Sequence, residues 1–439
     1  MSSTFVSIDG KSKSYKILVI VLVVLALSGL ISFVVSYIQG HQTFGSSNVI
    51  PWGMPIVLTI YLIGLSAGSL ILSSLTYVFG REEYRPIARM AVYLAIVLIF
   101  GALLSIAIDL GRPEKFWRLL MFFYMNNMSS MFAINGILYG GYFVLTLTYL
   151  VLIFSGLTAY VKKMGVVAVC WAVLVHMGTG AIFGFIAARE AWVSPIKPLE
   201  FLAAAVTSGV ALLILAVVIT LKLTGRKVNR EMVVSLGRML SVFIIILMVL
   251  IFVDKMTHFY SPERGATVFM LAGQYSWMFW VLQVGLVAVV PLAILFNPRL
   301  NKTVRYVSLA GFSVVVGIFF ERYYLVIPGA AHTQHYYPGH VEGVWGAVGT
   351  FAIMPAEMIL SLGILVIVGL LFVLGLKYLE LLPEKEPEEE LAQVEAPVVE
   401  EAPAEEEASA AEETPAATET SETTEKTESG DGSSSSSDE

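Results

Sequence analysis

Cysteine and charge are both scarce in this chain of 439 residues. A single cysteine, Cys170, excludes disulfides within the chain and any cysteine-ligated iron–sulfur cluster, which needs about four thiolates. Charged residues make up only 14% of the sequence, whereas hydrophobic residues make up 57%. Because so little polar surface cannot coat a water-facing fold, the composition excludes a soluble domain and indicates an integral membrane protein.

Acidic residues are few outside the C-terminal end. Beyond Pro383 the chain holds 20 of its 34 acidic residues and 2 of its 27 basic ones, so the tail carries −18 and the remainder +11. The tail consists mainly of Glu, Ala, Pro, Thr and Ser and has no apolar content from which to build a core. We therefore predict a disordered acidic tail over 381–439, which solvates the terminus or binds a partner.

Ten apolar runs of roughly 20 residues, the length of a helix that crosses a bilayer, occupy most of the chain. Unbroken runs without alternation favour helices over barrel strands. The predicted fold class is an all-α integral membrane protein, with a short segment at 1–16 and a membrane domain at 17–380. The predicted spans are 17–38, 55–79, 87–109, 131–156, 164–188, 200–223, 234–257, 269–296, 304–327 and 347–377.

Lysine and arginine concentrate in alternate connections between the spans. They are frequent before the first span and at 81–89, 162–163, 222–238 and 299–305, whereas the connection at 39–55 has none. By the positive-inside rule, both termini are predicted to be cytoplasmic, in a cytoplasmic (inner) membrane. Odd-numbered helices then run outward, which places most ionisable residues of the spans near the outer face.

A constant offset of 145 residues relates the two halves of the membrane domain. It carries Asp109 onto Asp254, Gly80-Arg81 onto Gly225-Arg226 and Arg85 onto Arg230. The pattern predicts a duplicated module, with repeat one at about 50–190 and repeat two at about 198–328. An even number of helices per repeat makes the two copies parallel.

Ionisable residues inside membrane spans usually face a bundle interior or a wet cavity, where they bind ligands or relay protons. Besides Asp109 and Asp254, the candidates are His176 in the fifth span and Glu321 in the ninth. His176, Asp254 and Glu321 are the residues of a predicted proton route. The alternative reading is that acid–base neighbours such as Glu321 and Arg322 are interfacial pairs that fix helix ends.

Histidine offers little support for a metal or haem in this chain. His176 has no second histidine at a matching depth for a haem. His332, His335 and His340 are irregularly spaced, and no framework of carboxylates or thiolates surrounds them as in a zinc site. We predict no metal, no haem and no iron–sulfur cluster in this protein, and no nucleic-acid partner.

Three motifs resemble those of the polysulfide reductase membrane-subunit family, of NrfD/PsrC type. They are Pro51-Trp52-Gly53 at the start of the second span, Gly64-Leu-Ser-Ala-Gly68 within it, and Asp109-Leu-Gly-Arg-Pro-Glu114 at the end of the third. Glu321-Arg322-Tyr323 before Val326-Ile-Pro-Gly329 resembles the later half of its ten-helix, DsrP-like members. The likeness covers roughly residues 15–380.

This resemblance implies two four-helix bundles, formed by helices two to five and six to nine, with the first and last helices outside. It also implies a quinone-reactive membrane anchor of a respiratory oxidoreductase that uses menaquinone or ubiquinone. The implied partners are a ferredoxin-like iron–sulfur subunit and a catalytic subunit of molybdopterin, cytochrome or hydrogenase type. Membrane lipid surrounds the protein.

The resemblance further places a quinone pocket at the outer mouth of the first bundle. There, Asp109 is expected to exchange the quinol proton and Arg112 to orient or tune that carboxylate, while Trp52 and Asn135 shape the head-group pocket. Two other readings stay open: a secondary transporter or proton-conducting protein, and a purely structural anchor. Transporters commonly have helices broken near the midplane, whereas the ionisable residues here lie at predicted helix ends.

Overall fold

Ten helices in the described part of the chain are long and apolar enough to cross a membrane, which confirms the predicted all-α fold. The computed structural model describes residues 5–118, 121, 130–262, 264–332 and 348–384. We number the spanning helices α1 (Lys13–Gln39), α2 (Met54–Tyr77), α3 (Arg85–Asp109), α4 (Met131–Phe154), α5 (Thr158–Gly184), α6 (Lys197–Leu223), α7 (Arg230–Phe259), α8 (Met278–Leu295), α9 (Val304–Ala331) and α10 (Pro355–Tyr378).

The helices form two rings. In the first, α2 packs on α3, α3 on α4, α4 on α5 and α5 back on α2; α6 to α9 form the second ring in the same order. Helix α1 packs on α10, and α10 in turn packs on α3 and α2. This arrangement agrees with the two four-helix bundles and two flanking helices expected from the sequence.

The eighth predicted span, 269–296, differs from the structure because it is interrupted. A short helix, Arg264–Ala272, ends at Gly273, and α8 begins only at Met278 with π-type hydrogen bonding over its first twelve residues. The indole nitrogen of Trp280 donates to a carbonyl of the short helix at 3.0 Å. Glycine and the polar residues that follow it break the apolar run and allow the backbone to turn.

Helices α2 and α6 cross at two glycines, and this crossing joins the bundles. Gly68 of α2 lies against Gly209 of α6, and a Cβ atom at either position would overlap the backbone of the other helix. Small residues let helix backbones approach closely in a membrane. In an apolar stretch of 18 residues, 94% of α2 is buried inside the protein, against 11% of α1. Helix α2 is therefore central and α1 peripheral.

We expect Gly68→Ala to destabilise the protein by about 1–3 kcal/mol, the usual cost of overpacking, because its methyl group would overlap the carbonyl oxygen of Ala205. Gly140→Ala is the matched control, since a Cβ there would meet nothing within 4 Å. Unfolding in detergent should separate the two variants. Equal stability of both would contradict the close crossing.

The two ends of the membrane domain meet in a small sheet. Strand β1 (Phe5–Val6) pairs antiparallel with β2 (Leu382–Pro383), and the guanidinium of Arg226 donates to the carbonyl of Pro383 at 2.8 Å. The predicted tail over 381–439 therefore starts too early, because Leu381 and Leu382 are buried apolar residues. Residues 385–439 lie outside the described part of the chain.

Candidate functional site

The candidate site lies where α3 ends and α2 begins. We refer to this end of the membrane domain, at which α3, α5 and α7 end and α2, α4 and α6 begin, as the mouth end. Asp109 is the last residue of α3, and Trp52 precedes the first residue of α2 by two positions. The hydroxyl of Ser105 donates to the carbonyl of Pro55 at 2.8 Å, which holds these two helix ends together.

Asp109 has no paired cation among the residues that the structure describes. The charge of another carboxylate, that of Glu357 in the first turn of α10, acts on Asp109. Gly111, two residues on, has a φ of 71°, a left-handed conformation that glycine adopts without strain. The turn brings the imidazole of His41 against Gly111, so Asp109 is partly enclosed on that side.

Arg112 does not reach Asp109 in this structure. Its side chain is exposed, and no Arg112–Asp109 ion pair is present between these two described residues. No contact in this structure supports the expected orientation or tuning of Asp109 by Arg112, which stays a prediction.

Glu357 is a site residue that the sequence analysis missed. Its side chain is fully buried, and its carboxylate accepts hydrogen bonds from the backbone N–H groups of Gly45, at 3.0 Å, and Met54. A Cβ atom at position 53 would overlap the carboxylate, so the glycine of Pro51-Trp52-Gly53 makes room for it. The carboxylate also complements the positive end of the α2 dipole.

Replacing Glu357 should destabilise the mouth end. In Glu357→Ala the N–H groups of Gly45 and Met54 lose a charged acceptor, which typically costs about 1.5–3 kcal/mol per hydrogen bond. Asn229→Ala is the control, because Asn229 caps α7 by accepting from Met232 at 3.1 Å and removing such a cap costs about 1 kcal/mol. Thermal unfolding of the purified protein should rank Glu357→Ala below Asn229→Ala.

Trp52 belongs to an aromatic cluster between the two bundles. Its ring stacks on that of Trp192, with centroids 5.2 Å apart and planes at 9°, and meets Phe132 and Phe183 at 5.6 and 5.5 Å. Trp192 is fixed in turn by a hydrogen bond from its indole nitrogen to the carbonyl of Leu325 at 2.7 Å. Trp52 therefore forms a rigid apolar wall beside the mouth of the first bundle.

Asn135 lies one turn deeper than Phe132 on α4. Its amide nitrogen donates to the carbonyls of Met131, at 2.8 Å, and Gly178, at 2.9 Å, so it ties α4 to α5. The side-chain oxygen has no hydrogen-bond partner within the described part of the chain, although Asn135 is only 1% exposed. Asn135 thus keeps one free acceptor in the bundle interior.

His176 is also buried, and only one of its two ring nitrogens has a hydrogen-bond partner among the described residues. Its Nδ1 atom lies 3.0 Å from the carbonyl of Ala172, one turn earlier on α5, whereas Nε2 has no partner among the described residues. The charge of Arg322 on α9 acts on this imidazole.

Asp254 is the centre of a buried ionic cluster in the second bundle. Its carboxylate is fully buried and lies 2.9 Å from the ammonium of Lys197 and 3.1 Å from that of Lys255. Lys197 also contacts Glu200 at 2.7 Å. The sequence analysis singled out Asp254 but missed Lys197 and Glu200, whose only signal is a Lys-Pro-Leu-Glu start to an apolar span.

Glu321 and Arg322 on α9 form a second buried ion pair. They form an ion pair at 3.2 Å and are 2% and 1% exposed. The alternative reading of an interfacial pair that fixes a helix end is therefore wrong, because α9 continues to Ala331 and both side chains face the interior. The guanidinium of Arg322 lies 3.9 Å above the ring of Phe201.

The loop after α5 connects the bundles at the mouth end. Helix α5 ends at Gly184, four residues earlier than predicted, so Arg189 lies in this loop instead of at the helix end. Its guanidinium donates to the carbonyls of Val49 and Ala330, each at 2.9 Å. Partial burial lowers the pKa of Arg189, although arginine stays protonated in proteins.

The repeat offset exposes a difference between the two aspartates. Adding 145 to Trp52 gives Lys197, so the position that supplies the cation for Asp254 is a tryptophan in the first repeat. Asp254 is buried and paired with two lysines, whereas Asp109 is half-buried and has no paired cation among the described residues. The two residues are equivalent in sequence but differ in electrostatic environment.

Ten helices long and apolar enough to cross a membrane, eight of them in two rings, define the described part of the chain as a multi-pass membrane protein. Residues 42–333 match the family described as polysulphide reductase, NrfD. The protein belongs to this family, which confirms the resemblance seen in its motifs.

Three relatives illustrate the range of the family. The sequence is 35% identical over 344 residues to the Hdr-like menaquinol oxidoreductase integral membrane subunit of Archaeoglobus fulgidus, a match that spans 77% of this sequence and 86% of that protein. It is 29% identical over 374 residues to the C subunit of the selenate reductase of Mesobacillus selenatarsenatis, spanning 76% and 85%. It is 24% identical over 360 residues to the menaquinone reductase integral membrane subunit of Nitratidesulfovibrio vulgaris, spanning 74% and 84%.

Proposed function

We propose that this protein is the quinone-interacting membrane subunit of a respiratory oxidoreductase. The observation that carries the proposal is the environment of Asp109, a carboxylate without a paired cation among the described residues, at the mouth of the first bundle and beside Glu357. Two relatives support the same substrate class, since one is a menaquinol oxidoreductase subunit and another a menaquinone reductase subunit. Menaquinone is therefore our first choice and ubiquinone the alternative.

The mouth of the first bundle suits the chemistry of a quinol. A quinol releases two electrons and two protons when it is oxidised, and a positioned carboxylate is a suitable acceptor for a proton. Asp109 would accept one proton from a quinol hydroxyl, release it to solvent at the mouth end and then accept the second. Trp52, held flat by its stack on Trp192, would form an apolar wall, and Asn135 would close the deeper end.

The electrons must leave through another subunit. A single cysteine is too few to ligate an iron–sulfur cluster, because such clusters usually need four thiolates. We propose a ferredoxin-like iron–sulfur subunit docked at the mouth end, which passes electrons to or from a catalytic subunit of molybdopterin, cytochrome or hydrogenase type. The mouth end would face outward, with both termini cytoplasmic in the inner membrane.

A proton route through the second bundle is the second candidate activity. His176 Nε2 and one carboxylate oxygen of Asp254 have no hydrogen-bond partner within the described residues, and Glu321 is buried on α9 in an ion pair with Arg322. Against this, the cluster is charge-balanced and its ions are paired, which favours a structural role. A route would also need polar links between His176 and Asp254.

The decisive experiment is an electron-transfer assay on the purified complex. We expect it to oxidise a short-chain naphthoquinol with an artificial electron acceptor, and to lose that activity when the NrfD-family subunit is removed. Proteoliposomes that hold this subunit alone test the transporter alternative. Proton flux by the isolated subunit, combined with quinol oxidation by a complex that lacks it, would overturn the proposal.

A further inference from the structure

The loop between α5 and α6, residues 185–196, carries Trp192 and connects the two bundles. The backbone N–H groups of Trp192 and Val193 both donate to the carbonyl of Arg189, at 2.9 and 3.1 Å, so these three residues form one turn. Gly329 of α9 makes room for the indole of Trp192, because a Cβ atom at that position would overlap it. A contact that holds Val193 therefore also fixes the neighbouring Trp192.

His258, in the last turn of α7, holds Val193 through its ring. Its Nε2 atom lies 2.6 Å from the carbonyl oxygen of Val193, and its Nδ1 atom lies 2.8 Å from the carbonyl oxygen of Asp254, one turn earlier. A neutral imidazole has one N–H donor, whereas an imidazolium has two. Because carbonyl oxygens only accept, both contacts are hydrogen bonds only when each ring nitrogen carries a proton.

The surroundings of His258 favour this doubly protonated form. One carboxylate oxygen of Asp254 lies 3.7 Å from Nδ1 and has no hydrogen-bond partner among the described residues, while the other oxygen contacts Lys197 and Lys255. An imidazolium places a positive charge beside the oxygen that lacks a partner. The C-terminal end of a helix also favours a cation, and short N–H···O distances are typical of charged donors.

His176 provides a contrast within the same chain. Its Nδ1 atom also lies near the carbonyl one turn earlier, that of Ala172 at 3.0 Å, but its Nε2 atom has no partner among the described residues. A neutral ring with its proton on Nδ1 satisfies this geometry. The contacts of these two buried histidines therefore require different numbers of protons, one for His176 and two for His258.

The position of Trp192 shapes the mouth of the first bundle. Its ring stacks on that of Trp52 with centroids 5.2 Å apart, and it meets the ring of Phe183 edge-on at 5.3 Å. Trp192 projects from the loop instead of from a spanning helix, so its position depends on what holds the loop. Through Val193, a side chain of the second bundle thus supports the apolar wall of the first.

We propose that His258 carries a proton on each ring nitrogen and is a positioning residue, which holds the loop through Val193 and so keeps Trp192 stacked on Trp52. Removing the second donor frees the carbonyl of Val193 and loosens the turn that carries Trp192. The kinetic consequence rests on the proposed function, in which Trp52 forms the wall of the quinone site. The protonation of His258 and the loop contact do not depend on it.

Nitrogen NMR tests the two protons directly. The full-length chain is isotopically labelled on its histidine nitrogens only and reconstituted in lipid vesicles near neutral pH, and the signals missing from His258→Gln are assigned to His258. Both of its nitrogens should give N–H signals, as in an imidazolium. One nitrogen of His176, assigned in the same way with His176→Gln, should be unprotonated. An unprotonated nitrogen in His258 would overturn the proposal.

Fluorotryptophan signals test whether the loop depends on His258. In the same vesicles, His258→Gln should shift or broaden the fluorine signals of Trp192 and Trp52, which are assigned by replacing each tryptophan with phenylalanine. The signal of Trp280, on α8, should stay unchanged. Thr257→Val is the matched control and should alter none of these signals, because Thr257 is exposed and its hydroxyl donates within α7. Wild-type signals of both mouth tryptophans in His258→Gln would contradict the positioning role.

Quinol oxidation by the purified complex tests the consequence for the site. His258→Gln should raise KM for a short-chain naphthoquinol about twofold to tenfold, which corresponds to ordering one side chain on binding, with little change in kcat. His258→Arg supplies several permanently protonated N–H donors and should lie closer to wild type. Wild-type KM in His258→Gln would overturn the role in the site, while an inactive Asp109→Asn would still support the proposed function. Full activity of Asp109→Asn would overturn the proposed function, and the two NMR results would still decide the protonation and the loop contact.

Discussion

Asp109→Asn should lower the rate of quinol oxidation by the purified complex by about 100-fold or more, because a positioned proton acceptor typically contributes 10²–10⁴ to the rate. Asparagine has nearly the same shape but cannot accept the proton. The loss should appear in kcat with little change in KM, which is typical of an interaction that acts in the transition state. Steady-state kinetics over a range of quinol concentrations separates the two constants.

Asp254→Asn is the control for this prediction, because it makes the same chemical change at the repeat-related position. We expect its quinol oxidation rate to stay within about threefold of wild type, since Asp254 is neutralised by Lys197 and Lys255 and lies in the second bundle. Rates should be normalised to folded protein, because removing one partner of a buried ion pair also destabilises the fold. Loss of activity in Asp254→Asn alone would place the site in the second bundle.

The contrast between the two aspartates explains why duplication would give one reactive site. A cation close to a carboxylate stabilises its ionised form, whereas a neighbouring carboxylate destabilises that form. The residue at position 52 in the first repeat, or at position 197 in the second, determines whether the aspartate has a cation beside it. Trp52 contributes an apolar ring at the mouth, whereas Lys197 contributes a charge that binds Asp254.

Much of the fold follows from the sequence because the membrane imposes a simple rule. Every span must satisfy its own backbone hydrogen bonds, so apolar length alone identifies the helices, and α3 ends at Asp109 as predicted. The exception is 269–296, where a glycine and adjacent polar residues allow a break before α8. Apolar content averaged over this run conceals the break.

The site was less predictable because its contacts join residues that are distant in sequence. Glu357 reaches Met54 across 303 positions, and nothing in its own segment separates a buried acceptor from an ordinary interfacial acid. In the sequence, Lys197 and Glu200 likewise look like an ordinary charged start of a helix. Only the folded structure shows that α7 places Asp254 beside Lys197. The sequence did predict that Asp109 and Trp52 lie at the same end of the first bundle.

Lys197→Met should destabilise the protein by about 3–5 kcal/mol, the usual cost of removing one partner from a buried ion pair. The cluster contains two cations and two carboxylates, which balance: Lys197, Lys255, Glu200 and Asp254. Removing Lys197 leaves two carboxylates without their closest cation. Reversible unfolding in mixed micelles measures the loss.

Two further variants establish that the loss comes from burial and charge balance. Arg85→Ala breaks the exposed Arg85–Glu82 pair, whose side chains are 43% and 71% accessible, and should cost no more than about 1 kcal/mol. The double variant Lys197→Met with Glu200→Gln restores the balance of charge. It should recover about 0.5–3 kcal/mol relative to the sum of the single variants, because Asp254 keeps Lys255; strict additivity would contradict a coupled cluster.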